Sequence, residues 1–214
     1  MIYGDLYKRF FKRLLDILFS VVVLFVASPF LLLLAIGVIF SMGFPVFFSQ
    51  ERIGKNEKLF KVIKFRSMSN RRDANGDLLP NKERLTRFGA FLRKCSLDEL
   101  PQLINVIKGD MSLIGPRPLF VKYLPYYTDN ENKRHDVRPG ITGWAQINGR
   151  NHLDWESRLA MDVYYVGHLS FGFDVKIFFS TIVKVLRGGD VVVALDPLIN
   201  VPLDEYRKNS VKKT

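Results

Sequence analysis

The sequence predicts an α+β chain, mostly helical, in which an apolar N-terminal helix meets a membrane and a small water-facing domain follows. Three observations predict this. First, no charged residue occurs from Ile17 to Phe40. At ~1.5 Å per residue, a straight helix of that length spans a hydrocarbon core of roughly 30 Å. Second, basic residues flank the run on both sides: Lys8, Arg9, Lys12 and Arg13 before it, and Arg52, Lys55, Lys58, Lys61, Lys64 and Arg66 after it. Third, helical stripes downstream alternate with Gly- and Pro-rich turns and only short strand signals.

The 214 residues suit one domain with a small appendage, and 48% are hydrophobic, enough for a sizeable core. The 32 Lys+Arg against 21 Asp+Glu give a net charge of +11. That excess favours phosphate-bearing partners: a nucleotide, a nucleic acid or an anionic membrane surface. Cys95, the single cysteine, excludes an internal disulfide and a thiolate metal cluster and fits a reducing, cytosol-facing location. The apolar run extends well past its only small-residue stretch, Ala27-Ser28, unlike a cleavable signal peptide.

Taken in order, Asp5 to Arg13 is basic and aromatic (Tyr7, Phe10, Phe11) and belongs at headgroup level. Within the apolar run, Pro29 has no backbone donor and its ring crowds the preceding turn, so the helix kinks or breaks at Ser28-Pro29. The Ser28 hydroxyl is placed to reach a carbonyl freed there. Two paths stay open: a kinked helix that crosses, or one that enters and returns. Both basic flanks satisfy the cytoplasmic preference of Lys and Arg only if they lie on one side. Each arm would then be about 12 residues, or ~18 Å, long enough to dip in but not to cross.

Phe44 to Ser49 reads as a membrane exit or short strand, and Leu59 to Phe65 as a strand. Asn70 to Leu79 is an exposed loop whose acidic spacing misses the calcium-loop pattern. Glu83 to Lys94 predicts a helix striped by Leu85, Phe88 and Leu92. Ser96-Leu97-Asp98-Glu99 matches a capping box with Ser96 as N-cap, and Leu100, Leu103, Ile104 and Ile107 carry the next helix to Gly109. Pro101 moves its first turn one or two residues later. Residues 110–118 are turn-rich, 136–150 read as loops around a short strand, and Asp162 to His168 opens a further element. Asp174 to Arg187 predicts an amphipathic helix with Val175, Phe178, Phe179, Ile182, Val185 and Leu186 on one face. Such a face lies in a membrane interface or packs into a core. The tail from Asp196 is polar and expected to be loosely held.

Asp98 and Glu99 head the candidate chemistry. Carboxylates at a helix start complement its positive end. The functional reading is an ionised Asp98 acting on a phosphate, with Mg²⁺ bridging carboxylates that would otherwise repel it. In Gly115-Pro116-Arg117-Pro118 two prolines restrict an arginine able to fork onto phosphate oxygens. Arg93, Arg138 and Arg150 are further cations. There is no P-loop or dinucleotide glycine fingerprint. His135, His152 and His168 lack zinc-ligand spacing, and Trp144 and Trp155 default to packing.

The run RLTRFGAFLRKCSLDELPQLINVIKGDMSLIGPRP, from Arg84 to Pro118, resembles the signature of the bacterial sugar transferases, and more narrowly the small monotopic phosphoglycosyl transferases. VIKFRSM (Val62 to Met68), RPGITGWAQINGR (Arg138 to Arg150), DVYYV (Asp162 to Val166) and the Ser28-Pro29 pair extend the resemblance over roughly residues 5–190. The resemblance implies a re-entrant helix broken at Ser28-Pro29 within residues 1–43, a cytosolic catalytic domain with amphipathic interface helices at 44–190, and a tail at 191–214. It implies that Asp98 attacks a UDP-sugar, releases UMP and passes a phospho-sugar to a polyprenyl (undecaprenyl) phosphate. Mg²⁺ would be held by Asp98 and Glu99, with Arg93, Arg117 and Arg150 on phosphate or substrate. Membrane lipids are the further expected partners and nucleic acid is not. The expected place is the cytoplasmic face of a bacterial inner membrane. The small size resembles enzymes using N-acetylated amino- or diamino-deoxy sugars. Competing readings are a hexose-1-phosphate transferase starting a capsule or exopolysaccharide, and a non-catalytic basic membrane scaffold. Oligomeric state is not legible.

Overall fold

The computed structural model describes residues 6–149, 153–187 and 201–211. A π-helical turn, Tyr7–Phe11, runs into α1, Lys12–Met42. This helix is long and apolar enough to cross a membrane, and only 11% of its most apolar stretch is buried. It continues as one element through Pro29, so the expected break at Ser28-Pro29 is absent from the secondary structure. The physical reason lies one turn back. Pro29 cannot donate to the Phe25 carbonyl, and the Ser28 hydroxyl donates to it instead, at 2.7 Å.

Both ends of α1 hold to the same domain. Near the start, Arg13 donates to the carbonyls of Val106 and Ile107. Asp16 accepts from the Ser112 hydroxyl and the Leu113 amide. Near the end, Leu34 and Val38 pack with Phe65, Phe88 and Leu92. The Arg66 guanidinium donates to the carbonyls of Met42, Gly43 and Phe44, closing the helix C-terminus. Between these anchors Val22, Phe25, Val26, Leu32 and Leu33 stand exposed.

β1, Phe47–Ile53, pairs antiparallel with β2, Leu59–Phe65. β1 runs further than the predicted Phe44 to Ser49 segment. The predicted Glu83–Lys94 helix is instead a turn, Asn81–Arg84, and α2, Arg87–Lys94. The interruption is Thr86, whose hydroxyl accepts from the Gly89 amide and caps α2, while Leu85 bridges to Met68.

The capping-box reading fails. Ser96 is left-handed, at φ 55°, without a side-chain cap. A 3-10 turn, Leu97–Glu99, precedes α3, Gln102–Lys108, which Gly109 ends at φ 99°. Glu99 pairs with two side-chain cations, Lys64 and Arg117, rather than the Ser96 amide, because two full ion pairs outweigh the single bond to a backbone amide.

β3, Ser112–Ile114, pairs parallel with β4, Gly140–Thr142. Asp162 does not open an element. It lies inside α4, Trp155–His168, which Asp154 caps by accepting from the Ser157 amide. α5, Phe171–Arg187, buries Ile177 and Asp174 but exposes Phe171, Phe179, Ile182 and Leu186. The loose-tail expectation fails for the described residues. α6, Leu203–Val211, buries Leu203 fully among Leu119, Tyr123 and Leu159. Trp155 donates to the Val201 carbonyl at 2.8 Å.

Candidate active site

Asp98 sits on the 3-10 turn between α2 and α3, 8% exposed. Its carboxylate makes no hydrogen bond to any side chain or backbone group among the described residues. Burial first, and neighbouring Glu99 second, push its carboxyl above the usual carboxylate range, while Lys64, Arg93 and Arg117 pull it down. A carboxylate left without donors in a nearly closed site keeps its lone pairs for another electrophile.

Glu99 stands differently. Its Oε1 accepts from Lys64 Nζ at 2.5 Å and from Arg117 Nη2 at 2.8 Å. Burial alone would raise its carboxyl, yet Arg117 and Lys64 outweigh that and hold it far below the usual range. Glu99 thus stays ionised, with its second oxygen uncommitted among the described residues.

Lys64 comes from β2, the strand that begins at Leu59. Arg117 comes from the turn after β3, and that turn is fastened by a residue outside the predicted set. Arg134 donates to the Arg117 carbonyl at 2.7 Å and pairs with Asp162 at 2.7 Å; both members of the pair are buried. On α2, Arg93 donates to the Ser67 hydroxyl at 2.8 Å, and its guanidinium lies close enough to feel the Asp98 charge. Close to Arg117 lies Arg52 of β1, held down to about 10 by burial and by Arg117 itself.

The structure therefore groups Asp98, Glu99, Arg93 and Arg117, and adds Lys64, Arg134, Asp162 and Arg52. Arg150 lies outside the described residues. Arg138 donates to the Gly109 carbonyl, behind α3, and faces a separate open cavity of about 360 Å³. Sequence periodicity marked Lys64 only as a basic flank. Its pairing with Glu99 is a long-range contact, as is Arg134 with Asp162, and no local signal encodes either.

A divalent cation can be tested against this donor set. Among the described residues no cluster of three or more His, Cys, Asp or Glu exists. Two adjacent carboxylates with free oxygens, completed by water and substrate phosphates, suit Mg²⁺, which keeps several waters and takes one or two carboxylates. The residues fit.

Comparison with known proteins places the chain in a family. Residues 7–188 match the family model for bacterial sugar transferases. The chain is 51% identical over 175 residues to the sugar transferase EpsL of Bacillus subtilis strain 168, covering 82% of this chain and 87% of that one. It is 43% identical over 187 residues to the UDP-glucose:undecaprenyl-phosphate glucose-1-phosphate transferase of Escherichia coli K12. It is 40% identical over 191 residues to the UDP-N-acetylgalactosamine-undecaprenyl-phosphate N-acetylgalactosaminephosphotransferase of Aeromonas hydrophila. The last two matches cover 83% and 84% of this chain but only 40% and 44% of those longer proteins. The chain belongs to the bacterial sugar transferase family.

Proposed function

We propose that this chain is a phosphoglycosyl transferase that moves a sugar-1-phosphate from a UDP-sugar to polyprenyl (undecaprenyl) phosphate. The carrying observation is the division of labour in the acidic pair: Asp98 without donors, Glu99 neutralised by Lys64 and Arg117. One is free to attack; the other organises cations.

In the first half-reaction an Asp98 carboxylate oxygen attacks the β-phosphorus. The bond from that phosphorus to the bridging oxygen breaks, and the electron pair leaves with UMP. The sugar stays as an aspartyl phospho-sugar. In the second, a phosphate oxygen of the polyprenyl carrier attacks the same phosphorus, and Asp98 leaves as carboxylate. Splitting the exchange means that the two bulky substrates need not bind together. Arg117 and Lys64, tethered through Glu99, face phosphate oxygens, and Arg93 adds charge beside Asp98. Mg²⁺ held by Asp98 and Glu99 would neutralise developing phosphate charge.

The membrane reading is a helix that enters and leaves on one face. It is supported by the contacts at both ends of α1 with a single domain, around Arg13 and Asp16 and around Val38 and Arg66. The basic flanks support a cytoplasmic face for that side, in keeping with a bacterial inner membrane. For the sugar, an N-acetylated amino- or diamino-deoxy sugar stands against a hexose, since relatives are named for glucose and for N-acetylgalactosamine.

The test mixes purified protein with Mg²⁺, polyprenyl phosphate and a panel of UDP-sugars. Wild type releases UMP with one class of sugar, and Asp98→Asn loses at least about 10³-fold. Equal UMP release by Asp98→Asn removes the nucleophile assignment. No UMP with any sugar, together with salt-dependent nucleic-acid binding, would favour a basic scaffold.

A further inference from the structure

Arg52 is a half-buried cation without a counter-ion. No carboxylate pairs with it among the described residues, where it donates to the Gln50 side-chain oxygen at 2.7 Å. Its guanidinium carbon lies 3.6 Å from the centre of the Phe120 ring. An arginine stacked on an aromatic face is held in place yet keeps the N–H donors along its edge. With one N–H given to Gln50, most of its five donors are uncommitted.

Its position ties it to the active site. Arg52 and Lys64 project from the same face of the β1–β2 ribbon, because each sits opposite an even-numbered partner, Arg52 with Phe60 and Lys64 with Phe48. The next residue, Ile53, donates its amide to the Leu119 carbonyl, two residues after Arg117. Phe120, under the guanidinium, follows directly. Lys64 and Arg117 hold one committed carboxylate, Glu99; Arg52 lies near enough to feel the charges of Arg117 and Glu99, and Arg93 adds a fourth cation beside Asp98. Four cations against two carboxylates leave the site positive, and a cation held close to Arg117 without an acid of its own is unfavourable until an anion arrives.

We propose that Arg52 is a further phosphate-binding residue of this site, acting beside Arg117 on the oxygens of an incoming phosphate group. The proposal rests on the phosphoryl-transfer reading above. The phosphate has two sources, the diphosphate of the nucleotide sugar and the phosphate of the lipid carrier, and the experiment separates them.

The experiment uses the full-length protein and two principal variants. Arg52→Met keeps a stem over Phe120 without charge or donors, and Phe120→Leu keeps the charge and removes the ring. KM for UDP-sugar, KM for polyprenyl phosphate, kcat, Tm and the affinity for inorganic pyrophosphate are measured for each. Arg52→Met is expected to raise at least one KM by about tenfold, the loss typical of one charge-assisted hydrogen bond, with Tm unchanged. Phe120→Leu is expected to raise it less. A rise confined to UDP-sugar assigns the diphosphate, a rise confined to the carrier assigns the lipid phosphate, and a rise in both assigns a position used in turn. Both KM values and pyrophosphate affinity unchanged, whatever happens to Tm or kcat, overturn the proposal and leave Arg52 a packing residue. Should Arg52→Met not fold, Arg52→Lys carries the same test, since a point charge loses the fork of donors. If wild type releases no UMP, the pyrophosphate arm still decides: weaker binding by Arg52→Met sustains the anion site while the reaction assignment falls, and equal binding removes the site.

Discussion

At Glu99 a single oxygen holds two cations, Lys64 and Arg117. Glu99→Gln keeps the shape but removes the charge that gathers them. We expect a larger fall in turnover from Glu99→Gln than from Lys64→Met, because the first releases both cations and the second only one; steady-state UMP release compares them. Behind Arg117, the Arg134–Asp162 pair is buried on both sides. Asp162→Asn leaves Arg134 an uncompensated charge, and a loss of about 3–5 kcal/mol in urea unfolding is expected. Next to that pair, His135 is buried and its pKa is lowered to about 4, by burial first and by Arg134 second. Its unfolded value is near 6.5, so between about pH 6.5 and 4 the unfolded chain binds the extra proton. Stability should be fully present above pH 6.5 and fall as the pH drops through that window, by on the order of 3 kcal/mol. His135→Phe should flatten that acid limb in urea midpoints. A wild-type midpoint independent of pH over this range would refute the assignment.

Among the elements, α1 shows both the reach and the limit of reading from sequence. Its length, the Ser28-Pro29 pair and the service of Ser28 to a freed carbonyl were legible, because each is a local rule of backbone hydrogen bonding. The continuity of the helix was not, since a proline rule alone states a lost bond and not its replacement. Ser28→Ala should leave the Phe25 carbonyl bare in an apolar setting and destabilise the protein in micelles by about 1–2 kcal/mol. Adding Pro29→Ala restores a backbone donor and should recover most of the loss, so a double-mutant cycle of thermal midpoints tests the substitution of one donor by the other. The 3-10 turn bearing Asp98 is the opposite case. Ser96 and Glu99 have capping-box spacing, but Glu99 is drawn away by Lys64, which arrives from a strand 35 residues earlier. Pairings of that kind follow from strand register and packing, which one-dimensional patterns do not contain. α6 was missed for a similar reason. Its polar sequence conceals one fully buried anchor, Leu203, and the links of Arg207 to Glu131 and Glu156. Leu203→Ala is expected to cost about 2–5 kcal/mol, measurable as a lower denaturation midpoint.

In the whole molecule, apolar surface and positive charge share the work of placing the chemistry. Exposed Phe25, Val26, Leu32 and Leu33 on α1, with Phe179 and Leu186 on α5, form surface that water does not favour. The net charge of +11 draws the same body toward anionic lipid. Of this design, the composition and the two apolar helices were readable directly. The folding of both α1 ends onto one domain was not, because it is made by Arg13, Asp16 and Arg66 reaching residues as far as 97 positions away. That two-ended anchoring has a mechanical consequence. On the one-face topology proposed above, the helix adds area to one leaflet alone, like a wedge pressed into one side of a sheet. Lateral pressure in a tightly packed monolayer then opposes its seating, and packing defects in a strongly curved one invite it, so small vesicles should bind the protein more tightly than large ones of the same lipid.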